Sequence, residues 1–226
     1  MTALITGGSR GIGRAAALAF ARRGLDVAIL ARTQAELDVV AREITALGRR
    51  ALPLQCDVTS EQDVAAAAGA VVANLGAPTV VVNNAGAIVR ARVDEMSLAE
   101  WRLNLDANLT GTFLVTRALL PSMLAAGRGR FVQVGSISST LGTARASAYC
   151  AAKWGVVGFT KSLAEELRGT GLSALSILPG SVDTGMLEGS GYAPQMSADD
   201  VAGLIVYTSL DAPLAMNGSC IEMFGP

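Results

Sequence analysis

Histidine is absent from the 226 residues. That removes the commonest metal ligand and the side chain best suited to proton transfer near neutral pH. No cluster of cysteines or carboxylates replaces it, so no metal centre is expected and any acid or base must be another side chain. The cysteines are three, Cys56, Cys150 and Cys220, with no close pair. An odd, scattered set points to a reducing compartment and buried small residues rather than to a disulfide framework. Eighteen basic residues nearly balance nineteen acidic ones and no basic block stands out, which argues against a nucleic-acid partner. No uninterrupted apolar run approaches the ~18 residues of a membrane span. The opening MTALITGG has no basic flank and turns glycine-rich at once, unlike a leader peptide. A cytoplasmic protein with no membrane partner is the expectation.

What is present is apolar and alanine-rich. Apolar residues make up 51% of the chain, and such helices suggest burial against further subunits. The length suits one α/β domain with its own core. Short apolar runs at 3–6, 26–31, 51–55, 79–83, 130–135, 172–178 and 219–224 read as strands. Helical patterns lie between them, near 12–23, 34–47, 61–74, 98–126, 148–169 and 198–209. The alternation predicts a single doubly wound α/β domain, a seven-stranded parallel sheet with helices on both faces. In such sheets ligands bind beyond the carboxyl ends of the strands, so the residues that follow each strand matter most.

After the first run comes TGGSRGIG, with Gly7, Gly11 and Gly13 around Ser9 and Arg10 and a helix starting near Ile12. Glycines there permit a tight turn and close approach to a pyrophosphate, which meets the positive helix end. After the second run come Arg32 and Thr33, without the carboxylate that holds the ribose hydroxyls of NAD. Arg10 and Arg32 instead suit the extra phosphate of NADP; the alternative is that both are simply solvated. After the third, Asp57 can accept from an adenine amino group with Val58 against the ring, or it can cap a helix, as can Ser60. After the fourth comes NNAG, where Asn84, Ala85 and Gly86 suit either backbone close to a cofactor or a plain turn. After the fifth comes Ser136, with Ser138 and Ser139 leaving the choice of serine open. After the sixth come Pro179, Gly180, Val182 and Thr184 in PGSVDT. Tyr149 and Lys153 lie four apart, on one face of a helix.

TGGSRGIG, NNAG, Asn108 in DANLTGTF, Ser136, Tyr149-x-x-x-Lys153 and PGSVDT, in this order, resemble the short-chain dehydrogenase/reductases along essentially the whole chain. Among them the sequence looks most like the carrier-protein β-ketoacyl reductases of fatty acid biosynthesis. The resemblance implies an NADP(H)-dependent carbonyl reductase with Asn108, Ser136, Tyr149 and Lys153 as catalytic tetrad. Tyr149 would give a proton to the carbonyl oxygen that Ser136 holds. Lys153, together with the charge of the oxidised nicotinamide, would lower the tyrosine pKa. Lys153 would also grip the nicotinamide ribose, and Asn108 would hold a water linking Lys153 to solvent. A small carbonyl compound or an acyl thioester, free or carrier-bound, is the implied substrate, and a homotetramer the implied assembly. A sugar or other alcohol as substrate, or a nucleotide-sensing protein without catalysis, are the other readings.

Three features depart from the family pattern. Only twelve residues, GMLEGSGYAPQM, separate Thr184 from Ser197, where relatives often carry a longer lid. Met186, Leu187 and Tyr192 are the lid candidates. Ala152 precedes Lys153 where serine is frequent, and the ending GSCIEMFGP replaces the usual acidic-glycine one. Arg90, Arg92 and Arg145 are candidates for meeting an acidic carrier protein.

Overall fold

The computed structural model describes residues 1–225. Seven strands, β1 Thr2–Thr6, β2 Asp26–Ala31, β3 Ala51–Gln55, β4 Val80–Asn83, β5 Gly129–Val134, β6 Leu172–Pro179 and β7 Cys220–Met223, form one sheet. The order is β3-β2-β1-β4-β5-β6-β7 and every pairing is parallel. The chain reverses its direction of strand addition between β1 and β4, which opens a crevice there.

Alternation along the strands explains why they pair in this register. Ala3 and Ile5 of β1 face one core, while Leu4 faces the other. Val80 and Val82 of β4 likewise oppose Val81, and Val132 of β5 opposes Phe131. Both faces are covered, so a strand of nearly continuous apolar residues has no wet side. Each such side chain, fully buried, contributes about 1.5–3 kcal/mol.

Helices α1 Gly11–Arg22, α2 Gln34–Ala46 and, late in the chain, Ala198–Val206 (α7) cover one face. On the other lie α3 Glu61–Leu75, α5 Gly111–Ala126 and α6 Ser147–Glu166, with the short α4 Leu98–Leu105 leading into α5. Serines begin three of them: the Ser60, Ser97 and Ser197 hydroxyls accept from the Asp63, Glu100 and Asp200 N–H groups.

The single helix expected over 98–126 is interrupted. Residues Asp106–Thr110 form a π turn between α4 and α5. The 29-residue stretch Leu98–Ala126 is long enough to cross a membrane, and an 18-residue window within it reaches a mean hydropathy of 1.3. Glu100, Arg102, Asp106 and Arg117 interrupt the stretch, so it is not an unbroken apolar run. Here one side of the stretch packs on the sheet through Leu114, Val115, Leu119 and Met123, while Phe113 and Leu124 are exposed.

Candidate active site

The turn between β1 and α1 is tied to the turn after β4 before any ligand is considered. The Thr6 hydroxyl accepts from the Asn84 and Ala85 N–H groups, both at 3.0 Å. The Asn84 side-chain amide donates to the Thr6 carbonyl at 3.0 Å and the Gly7 carbonyl at 3.3 Å. Asn84 is thus a brace whose donors are engaged within the chain. Gly13 is enforced by packing: a Cβ there would lie 2.0 Å from the Gly7 carbonyl oxygen and 2.7 Å from Asn84 Nδ2. Helix α1 starts at Gly11 with no side-chain cap and no acid in its first turn. Its free N–H groups and positive end face the glycine turn. A tight backbone cradle at an uncapped helix start fits a pyrophosphate, and Thr184, whose methyl would lie 3.2 Å from a Cβ on Gly11, closes its far side.

At the adenosine end, Arg10 and Arg32 are both exposed, and neither forms an ion pair among the described residues. Ser9 does not offer a free hydroxyl: it donates to Glu36 Oε2 at 2.8 Å. Sequence reading missed Glu36 because it looked for an acid at the tip of β2, and Glu36 lies in the first turn of α2. Asp57 sorts between its two readings. Its carboxylate accepts from the Thr59 N–H (2.9 Å) and hydroxyl (2.8 Å), while Ser60 is the residue that caps α3. Asp57 and Arg32 both line an open groove of about 660 Å³, with Leu54, Gln55 and Asp63. Val58 packs against Gly111, where a Cβ would lie 2.8 Å from its Cγ2.

Across the crevice, Asn108 lies in the π turn and is 1% exposed. The alternative of an exposed helix asparagine is therefore excluded. Its amide donates to the Ala87 carbonyl at 2.6 Å and the Asn104 carbonyl at 2.8 Å, while Oδ1 receives no hydrogen bond within the described chain. The extra residue of the π turn swings this side chain toward the sheet, as such turns often do at functional sites. A Cβ on Gly86 would lie 2.5 Å from Asn108 Oδ1 and 3.9 Å from Lys153 Nζ, so glycine is what lets the three groups meet.

Tyr149 and Lys153 share the inward face of α6, with the ammonium 5.6 Å from the ring centre. Lys153 donates to the Val134 carbonyl at 2.8 Å, and burial holds its pKa down at about 8. Burial pushes Tyr149 up to about 12, against the pull of the Ser136 hydroxyl and the Arg90 guanidinium; the Cys150 thiol adds to the rise. The expected lowering by Lys153 is therefore corrected for the protein alone, because loss of water around the phenol outweighs nearby charge. Of the three serines, Ser136 lies close enough to the Tyr149 phenol to pull its pKa down, while its own hydroxyl accepts from the Ser138 N–H at 3.1 Å. Ser139 turns back to accept from the Ser136 N–H at 3.3 Å.

Beyond β6, Pro179 pairs with Met223, the Gly180 N–H donates to the Met223 carbonyl at 2.8 Å, and Val182 bridges to Met196. The lid runs on from there, and the Tyr149 hydroxyl meets the Met186 sulfur at 3.9 Å. Glu36, which the sequence reading did not name, thus belongs to the site, and Arg90, expected only at its rim, reaches Tyr149 and the lid. Arg92, a rim candidate, is exposed and pairs with Asp94 at 3.0 Å.

A family model described as short chain dehydrogenase matches residues 1–195. A trans-4-hydroxycyclohexanecarboxylate dehydrogenase of Sinomonas cyclohexanicum is 36% identical, across 99% of this chain and 91% of its own length. A 3-oxoacyl-[acyl-carrier-protein] reductase of Synechocystis is 34% identical, across 94% and 90% respectively. Among solved structures, a short-chain type dehydrogenase/reductase from Mycobacterium marinum superposes with a TM-score of 0.94 at 33% identity, covering 99% of this chain and 94% of that one. Agreement in sequence and in three-dimensional form over nearly the full length places the chain in the short-chain dehydrogenase/reductase family, oxidoreductases that work with a nicotinamide cofactor.

Proposed function

We propose that the protein is an NADP(H)-dependent carbonyl reductase, with a 3-oxoacyl thioester as the first substrate to test. The observation that carries the reaction is the buried Tyr149 hydroxyl, beside Ser136 and one helical turn from the Lys153 ammonium. When bound, NADPH supplies the hydride to the carbonyl carbon. Tyr149 gives its proton to the carbonyl oxygen, and the Ser136 hydroxyl donates to that oxygen as negative charge develops. Lys153 stays largely cationic at neutral pH and faces the phenolate that this leaves. Asn108 Oδ1, with no protein donor of its own, accepts from the water through which Lys153 exchanges its proton.

Unpaired Arg10 and Arg32 support NADP over NAD. Glu36 is the observation on the other side, since its carboxylate stands beside the same turn. The Synechocystis relative supports the thioester, and the Sinomonas relative supports a small cyclic alcohol as the alternative.

The assembly is a homotetramer in this proposal, through the exposed Phe113 and Trp154 of α5 and α6 and through Tyr207, Leu214 and Phe224 near β7. A cytoplasmic location goes with it, in keeping with three free cysteines. Light scattering of the purified protein tests the assembly; a monomer would overturn it.

The reaction is tested by following NADPH consumption with an acetoacetyl thioester beside NADH, in wild type and Tyr149→Phe. Turnover with NADPH, lost by about 10²–10⁴-fold in the variant while cofactor still binds, is expected. Undiminished turnover in the variant would overturn the mechanism, and equal use of NADH would overturn the cofactor assignment.

A further inference from the structure

The loop between β6 and α7 is pinned at its base. Val182 bridges to Met196, the Asp183 N–H donates to the Met196 carbonyl at 3.0 Å, and the Gln195 N–H donates to the Ser181 carbonyl at 2.8 Å. Above that base the loop's backbone is hydrogen-bonded to residues outside 181–196 by Arg90 alone, among the described residues. Arg90 donates from one guanidinium nitrogen to the Met186 carbonyl at 3.2 Å and from another to the Glu188 carbonyl at 3.3 Å. The Tyr149 hydroxyl meets the Met186 sulfur from below. Packing does not replace these bonds, because the loop curls around an open hollow of about 420 Å³, lined by Thr184, Leu187, Glu188 and Tyr192.

Arg90 is well suited to a reversible hold. It has no carboxylate partner: Glu188 offers its carbonyl, while its own carboxylate lies 3.7 Å from where a Cβ on Gly185 would be. Bonds to neutral carbonyls are weaker than a charged pair, so the loop can lift at modest cost. While it is held, the Met186 side chain stands over the hydroxyl that a carbonyl oxygen must reach.

We propose that Arg90 is a positioning residue that sets the size of substrate this site accepts, by holding Met186 against Tyr149. A small substrate slips beside the flexible thioether with the latch closed. A long one must push the loop away and break both Arg90 bonds. The inference rests on the reading of Tyr149 as the proton donor.

The test compares wild type, Arg90→Met and Arg90→Lys in two ways. First, kcat/KM is measured with NADPH for acetoacetyl and 3-oxodecanoyl thioesters of N-acetylcysteamine. Arg90→Met is expected to shift the long-to-short ratio at least tenfold toward the long chain, mostly through KM, and Arg90→Lys to return part of it. Second, a glutamyl endopeptidase cuts the native protein, and cleavage after Glu188 is followed by mass. Cleavage is expected to rise at least fivefold in Arg90→Met and to stay near wild type in Tyr149→Phe. An unchanged ratio, or unchanged cleavage, in folded Arg90→Met overturns the proposal. If neither chain length is reduced by wild type, the carbonyl-reductase reading falls, and the cleavage result alone decides the latch.

Discussion

Lys153 gives one ammonium hydrogen to the Val134 carbonyl at 2.8 Å and holds its charge 5.6 Å from the ring centre of Tyr149. The two groups respond to burial in opposite senses. Lys153 is held down at about 8 from 10.5, and Tyr149 is pushed up to about 12 from 10.0.

The lysine makes stability depend on pH in a defined window. Between about 8 and 10.5 the unfolded chain binds the Lys153 proton more tightly than the folded one, so its contribution to stability is present above that window and lost as pH falls through it. The stability of wild type relative to Lys153→Met is expected to rise by about 3 kcal/mol across this range. Denaturant titrations of both proteins at several pH values check it; parallel curves would contradict it. Tyr149 acts with the other sign, stabilising below pH 10 and losing that effect toward about 12.

Gly86 has no room for a methyl group. A Cβ there would stand 2.5 Å from Asn108 Oδ1, and the neighbour is a buried side chain in a π turn rather than a flexible end. Gly86→Ala is expected to cost about 1–3 kcal/mol of stability and to lower turnover more than cofactor affinity. Thermal melts beside NADPH titrations separate the two effects.

Cofactor preference is expected to follow three charges. Arg10→Ala with Arg32→Ala removes both unpaired guanidinium groups, and should weaken NADPH about 100-fold while sparing NADH, as expected for two charge-assisted contacts. Glu36→Gln removes the carboxylate that accepts from Ser9, and should strengthen NADPH several-fold. Fluorescence titration of each reduced cofactor reads both. A double arginine variant that weakens both cofactors equally would count against NADP.

Much of this was legible in the sequence because strand ends carry their own punctuation. The runs at 26–31 and 51–55 match β2 and β3 residue for residue, since Gly24 and Gly48 stop the helices just before two apolar runs. The site residues could be gathered for the same reason: a parallel sheet brings every strand's carboxyl end to one edge. The π turn at Asp106–Thr110 escaped because it adds one residue without changing the helical pattern around it. Glu36 escaped because its partner lies 27 positions away, and the hold of Arg90 on the lid escaped because its carbonyl partners lie nearly a hundred positions on. The direction of the Tyr149 shift depended on burial, which a motif does not state.

The brace from Thr6 to Asn84 joins residues 78 positions apart. Loop closure over that distance is slow compared with forming any one helix. A growing chain therefore carries the glycine turn for a long time before it has a cradle. Dinucleotide binding would then mark the moment at which the two halves of the sheet have met, and a fragment ending before β4 would retain the motif without the affinity.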